Sequence, residues 1–215
     1  MPDGGLGERG ALARPESTSS PHGADLLRRL KRSDVMLASW RRSLPGSVEA
    51  WLDALDLAAT PGLSLSLSPE AVAGELKRSA FAPLAQDVAM LARLAATAGR
   101  TRAVRLKLEP VLGDRCSRWH EDHVVMRLLC TYRGPGTEWL PEAGVDRARL
   151  RHGTGPNPDV CRAPAFVERF ERHEVAIYKG ALHPHTAGRG LVHKSPAIEG
   201  TGAARLLLTI DPSAH

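Results

Sequence analysis

Residues 115–140, RCSRWHEDHVVMRLLCTYRGPGTEWL, constrain the fold of this chain more than any other stretch. From Asp122 to Tyr132 the residues are almost continuously apolar, over the length of one long strand. Gly134-Pro135-Gly136 then makes a tight turn, and no Gly-Lys-Ser/Thr follows it, so it is not a phosphate loop. Thr137 to Leu140 resumes an extended pattern. At the head of the strand stand His120 and Asp122, two residues apart, and such residues leave the same face of an extended chain. The expectation is one strand with both groups on one side, and with Leu128 and Cys130 buried on that same side.

The rest of the chain divides at Gly99. Before it the pattern is mainly helical. A helix is expected over 24–32, and another over 48–57 with Ser47 as its N-cap. A third should open at Ser68-Pro69, and the longest should run over 81–98 with Gly99 as its C-cap. Two short strands, 35–40 and the strictly alternating 63–67, interrupt them. After Gly99, residues 104–108 alternate, and 174–179, 190–194 and 205–210 read as further strands between turns. Many short strands with long connections predict an α+β protein whose core is a double-stranded β-helix, or jelly roll, flanked by N-terminal helices. The expected organisation is a disordered tail over 1–23 and one domain over 24–213. Within it, 24–100 form the helical flank and 101–213 the barrel. Residues 141–172 carry few signals beyond a helix-like piece at 165–170 and are expected to form a lid over the site.

Composition excludes several classes of function. The 29 basic and 24 acidic residues are interspersed and leave a net charge of only +5, and aromatics make up 4%. Nucleic-acid binding needs a clustered basic face, often with stacking aromatics, so no nucleic-acid partner is expected. Cys116, Cys130 and Cys161 form no C-x-x-C pair, and their odd number suits a reducing compartment. The first residues lack the apolar core of a signal peptide and no run reaches membrane-spanning length, so the expected location is the cytoplasm, with no membrane partner.

The chemistry lies in four residues. His120 and Asp122, joined by His193 on a later strand, would make the two-histidine, one-carboxylate set that holds Fe(II) on one face of an octahedron and leaves the other face open. Arg205 follows His193 across one turn, and its planar guanidinium suits the far carboxylate of 2-oxoglutarate, with Tyr132 or Thr131 adding a hydroxyl. A His-x-Asp pair alone is weak; its position before an apolar strand and a glycine-rich turn gives it weight. A zinc site of Cys116 and Cys130 with His120 and His123 fits worse, since Cys130 lies about 23 Å along an extended strand from His123 at ~3.3 Å per residue. His183 and His185 read as a solvated loop, and Cys161 lacks a paired base. Trp119, Trp139 and Tyr178 either line a pocket or belong to the core.

The run CSRWHEDHVVMRLLCTYRGPGTEWL, with EVAIYKG, LVHKSP and RLLLTID downstream, resembles the bacterial domain-of-unknown-function family 1826 over about residues 35–211. More distantly, the order of these pieces resembles the 2-oxoglutarate/Fe(II) oxygenase superfamily. That resemblance implies a double-stranded β-helix, His120, Asp122 and His193 as metal ligands, and Arg205 as the co-substrate anchor. The chain departs from the pattern in offering Glu121 and His123 as further donors. The functional expectation is a 2-oxoglutarate-dependent oxygenase with Fe(II), or Zn in its place. The alternative is a non-catalytic metal-binding protein of zinc homeostasis on the same barrel, with a closed four-ligand sphere that includes Glu121 or His123. A cupin-like binder of small ligands without metal is a third possibility.

Overall fold

A computed structural model describes residues 22–150 and 156–213. The expected tail over 1–23, except its last two residues, lies outside the described residues. Alternating burial explains how the strands assemble. Along β3 (Ala103–Val111), Val104, Leu106 and Leu108 are buried while Arg105 and Lys107 are exposed, so the strand turns one apolar face inward. Six strands pair antiparallel in the order β1 (Leu37–Trp40), β8 (Val175–Lys179), β5 (Met126–Arg133), β10 (Arg205–Ser213), β3, β2 (Leu63–Leu67). A second antiparallel sheet has the order β4 (His120–Glu121), β9 (Val192–Lys194), β6 (Glu138–Leu140), β7 (Glu168–Arg169). The protein is thus α+β, built on two antiparallel sheets.

The helices α1 (His22–Leu30), α2 (Gly46–Ala54), α3 (Val72–Lys77) and α4 (Ala85–Gly99) cover one face of the six-stranded sheet. α4 turns Ala85, Val88, Ala89, Leu91, Ala92 and Ala95 to the core, and these mostly small side chains let it lie against β10, β3 and β5. The facing residues of the sheet are Leu128, Cys130 and Tyr132 on β5, Val175 and Ile177 on β8, and Leu206, Leu208 and Ile210 on β10. On the opposite face, Leu129, Ala176 and Tyr178 meet Phe170, Leu191 and Trp139, which come from or border the four-stranded sheet. Trp139 and Phe170 stack there with ring centroids 5.8 Å apart. This inter-sheet layer contains the candidate site.

Several local expectations are corrected. The run over 122–132 is not one strand, because the chain leaves the four-stranded sheet at Glu121 and enters the six-stranded sheet at Met126. Leu128 and Cys130 are buried, but against the helices and not on the face that carries the candidate ligands. Neither Ser47 nor Ser68 caps a helix: α2 starts after Pro45, and Ser68–Ala71 forms a turn before α3. The C-cap of α4 is Arg100, in the left-handed region at φ 55°, and Gly99 is the last helical residue. The piece at 165–170 is a single 3-10 turn over 164–166 followed by β7. The described part of 141–172, expected as a lid, divides between two places: Val145, Val160 and Phe166 pack with Leu140 and Val192, on the face of the small sheet turned away from His193, while Phe170 enters the inter-sheet layer.

Leu128 is fully buried between β5 and the helices. Leu128→Ala should therefore cost about 2–5 kcal/mol in urea unfolding, as deletions in packed cores do. An unchanged midpoint would show that this layer does not limit stability.

Candidate metal centre

β4 and β9 are each very short, yet their register brings two imidazoles together. His120 is the direct cross-strand partner of His193, and the ring centroids are 4.5 Å apart. Asp122 is positioned differently. It lies just past β4, in the crossover between the sheets, where its carbonyl accepts from the Ala181 amide at 2.9 Å. Gly180 permits that approach, since a Cβ there would lie 2.2 Å from the Val124 carbonyl oxygen and 2.9 Å from that of Asp122. The strand pleat invoked from sequence therefore does not aim this carboxylate; the docked loop does. Candidate ligand atoms of His120, Asp122 and His193 all lie within 4.8 Å of one another, with Asp122 Oδ2 3.3 Å from His193 Nε2. Among the described residues no other group of three or more such side chains converges in this way.

The surroundings set each ligand. Nδ1 of His120 faces the Arg118 carbonyl at 2.8 Å, and Nδ1 of His193 faces the Leu191 carbonyl at 3.1 Å. A carbonyl only accepts, so Nδ1 donates in both rings and Nε2 is left as the atom available to a metal. Burial holds the His120 pKa below its ordinary value, helped by repulsion from His193 and Arg127. Burial opposes the charge on Asp122, but His193, Arg127 and the Tyr178 hydroxyl outweigh it and hold the carboxyl well below the usual carboxylate range. Tyr178 donates to Asp122 Oδ2 at 2.6 Å, and its oxygen is 3.4 Å from His193 Nε2. Arg127 Nη1 lies 2.8 Å from Asp122 Oδ1. Two imidazole nitrogens and one carboxylate oxygen fit a divalent first-row metal.

Arg205 is fully buried at the start of β10 and has no carboxylate partner among the described residues. Its Nη1 donates to Ser195 Oγ at 3.1 Å, and its Nη2 to Thr137 Oγ1 at 2.9 Å and Thr131 Oγ1 at 3.4 Å. Its Nε is a buried donor with no acceptor. Burial, with repulsion from Arg169, pushes the guanidinium pKa down to about 10, against a pull from Glu138. Gly134 turns the chain beside it at φ +79°, where a Cβ would lie 2.2 Å from the Ala204 carbonyl oxygen.

The other expected residues separate. Thr131 stands beside Arg205, but Tyr132 faces the helices, where its hydroxyl donates to Asp87; it takes no part in the Arg205 cluster. The β5–β10 register shifts between Leu206 and Leu207, a bulge that leaves Thr131 inward. It also lets Arg133 reach the Leu52 carbonyl at the end of α2, 3.1 Å away. Glu121 pairs with Arg147 at 2.9 Å, and His123 is exposed. Cys116 is exposed and Cys130 is buried on the helix side, so no Cys–His zinc site forms. Trp119 is buried on the outer side of the small sheet; in the inter-sheet layer Tyr178 is buried and Trp139 partly so. Sequence reasoning missed Thr137, Ser195, Arg127 and Asp211. The one available signal was Arg127 itself, a charge placed within an apolar strand.

Fold and site together define a protein of two antiparallel sheets with a three-residue candidate metal-ligand set in the layer between them. By sequence, the chain belongs to the family described as "Protein of unknown function (DUF1826)", whose model matches residues 22–211. No curated protein matches it. Solved structures similar to it include a Pseudomonas putida prolyl-4-hydroxylase, with TM-score 0.45 and 12% identity, covering 93% of this chain and 98% of that one. Another is the dioxygenase for auxin oxidation 1 of Arabidopsis thaliana in its 2-oxoglutarate complex, with TM-score 0.38 and 15% identity over 89% of this chain and 78% of that one. The Fe(II)/α-ketoglutarate-dependent dioxygenase TqaL gives TM-score 0.43 and 10% identity, covering 89% of each chain.

Proposed function

We propose that this protein is an Fe(II)- and 2-oxoglutarate-dependent oxygenase with a double-stranded β-helix core. The observation that carries the reading is Arg205: a fully buried guanidinium with an orphaned Nε, ringed by hydroxyls and with no carboxylate in ion-pair contact among the described residues, in the protein that also gathers His120, Asp122 and His193. A buried cation costs several kcal/mol unless an anion completes it. A planar fork is matched by a carboxylate, and the far carboxylate of 2-oxoglutarate supplies one.

His120, Asp122 and His193 would hold the iron, and Arg205 with Thr131, Thr137 and Ser195 would hold the distal end of the co-substrate. Iron(II) with 2-oxoglutarate and dioxygen, when bound, supplies the oxidising chemistry. The chain's own residues orient it. The carbonyls of Arg118 and Leu191 fix the imidazole tautomers, and the Tyr178 hydroxyl holds the Asp122 carboxylate. Leu129, Ala176, Leu207 and Trp139 wall the layer with apolar surface that excludes water. The zinc-homeostasis alternative requires a fourth ligand from Glu121 or His123. Glu121 is engaged by Arg147 and His123 lies outside the cluster, which favours the open site.

The test is calorimetric titration of 2-oxoglutarate into anaerobic, Fe(II)-loaded protein. Wild type should bind it, and Arg205→Ala should lose about 2–5 kcal/mol of affinity, as removal of one partner of a buried charge pair does. Iron affinity should hardly change. Arg205→Lys should restore only part of the loss, because an ammonium lacks the fork. Absence of binding to wild type, or equal binding by Arg205→Ala, would overturn the assignment.

A further inference from the structure

Arg127 and Asp211 are the charged pair next to the candidate ligands that the ligand set itself does not require. Arg127 Nε and Nη2 grip both oxygens of Asp211, at 2.6 and 2.7 Å, while Nη1 reaches Asp122 Oδ1 at 2.8 Å. All three side chains are largely buried, at 21%, 14% and 12% exposure for Arg127, Asp211 and Asp122. Each comes from a different segment: Arg127 from β5, Asp211 from β10 and Asp122 from the crossover between the sheets.

We propose that Arg127 and Asp211 form a clamp that makes Asp122 a one-oxygen ligand and restores to the site the negative charge that Arg127 alone would cancel. This inference rests on the metal-site reading above.

Two consequences of the geometry support it. First, Arg127 holds Oδ1, while Oδ2, which accepts from the Tyr178 hydroxyl, is the oxygen turned toward His193 Nε2, so these contacts favour a one-oxygen approach of the carboxylate to a metal. A one-oxygen ligand keeps coordination positions open. Second, the charges sum in a simple way. Asp122 with Arg127 is neutral, and a divalent ion gains little from a neutral pair; Asp211 returns the cluster to one net negative charge. Arg127 is held in place by the two strong bonds to Asp211, so Asp211 also fixes the donor that orients Asp122. Both are positioning residues, since neither touches the metal.

The experiment uses the full chain with Co(II) as probe, measuring affinity by equilibrium dialysis and coordination by visible absorption, with circular dichroism to confirm folding. Asp211→Asn should bind Co(II) about 10–100-fold more weakly, the usual effect of losing a group behind the ligands. Asp211→Glu keeps the charge and should bind close to wild type, a rescue that a merely structural role would not produce. Arg127→Ala frees Asp122 Oδ1, and its Co(II) spectrum should change with the altered carboxylate geometry. Should Asp211→Asn fail to fold, Arg127→Lys decides the matter. One ammonium cannot span both carboxylates, so its spectrum should also change. Wild-type affinity in Asp211→Asn, or a wild-type spectrum in both Arg127 variants, would overturn the clamp. A wild-type protein that takes up no Co(II) would instead overturn the metal site on which the clamp depends.

Discussion

Asp87→Ala is expected to destabilise the protein by about 3–5 kcal/mol, because it leaves a buried cation without its partner. Asp87 lies in the first turn of α4, where a helix favours negative charge. There it takes both Nη atoms of Arg42, one at 2.8 Å, and the Tyr132 hydroxyl. Arg42 also donates to the His173 carbonyl at 3.1 Å, so the cluster ties the chain after β1 and helix α4 to β5. Burial opposes the charge on Arg42, yet the bond to Asp87 outweighs it and, with Cys130 and Tyr132, raises the guanidinium pKa above its ordinary value. Burial and Asp87 likewise raise the Tyr132 pKa, so the phenol stays a donor. Urea unfolding of Asp87→Ala measures the loss. The double variant Arg42→Met with Asp87→Leu should recover much of it, since well-packed apolar residues often replace a buried ion pair at little cost. A loss in Asp87→Ala no larger than that of a surface substitution would show that the cluster is solvated in solution.

His193→Ala should cost more metal affinity than any other single change considered. It removes the candidate ligand that faces both partners, with the His120 ring tilted against it and Asp122 Oδ2 3.3 Å away. The loss should exceed the roughly 10–100-fold expected for groups behind the ligands. Equilibrium dialysis with Co(II) under the conditions used for Asp211→Asn gives the comparison directly. If His193→Ala binds Co(II) as tightly as wild type, the metal occupies some other part of the protein. His183→Ala serves as the control, since that ring lies in the surface loop against His185 and outside the cluster, and it should leave the affinity unchanged.

The strands were legible where burial on one face imposes a period of two, as in Val104, Leu106 and Leu108, and the longest helix where apolar residues recur at helical spacing before Gly99. Their ends were less so. Ser47 and Ser68 have the chemistry of caps, but the turns that precede α2 and α3 use backbone carbonyls instead. The crossover at 122–125 escaped detection because apolar residues continue straight through it. A chain passing between two sheets remains buried on both sides of the passage, so hydrophobicity does not mark the break.

Residue chemistry by itself determined which side chains had the means to bind a metal and a carboxylate: two imidazoles, one carboxylate at i, i+2, and a guanidinium beyond the second imidazole. That part depends on atoms each residue carries wherever it is placed. Only the tertiary structure decided the rest. Thr131 and Tyr132 both offer a hydroxyl, and they differ by one position; on a strand one position reverses the face, so Thr131 stands by Arg205 and Tyr132 by Asp87. Thr137 and Ser195 join Arg205 from a turn and from the chain beyond β9, and Asp211 meets Arg127 across two paired strands. Those contacts come from strand register between segments up to 84 residues apart, which is set by the packing of two sheets and four helices and by no local pattern.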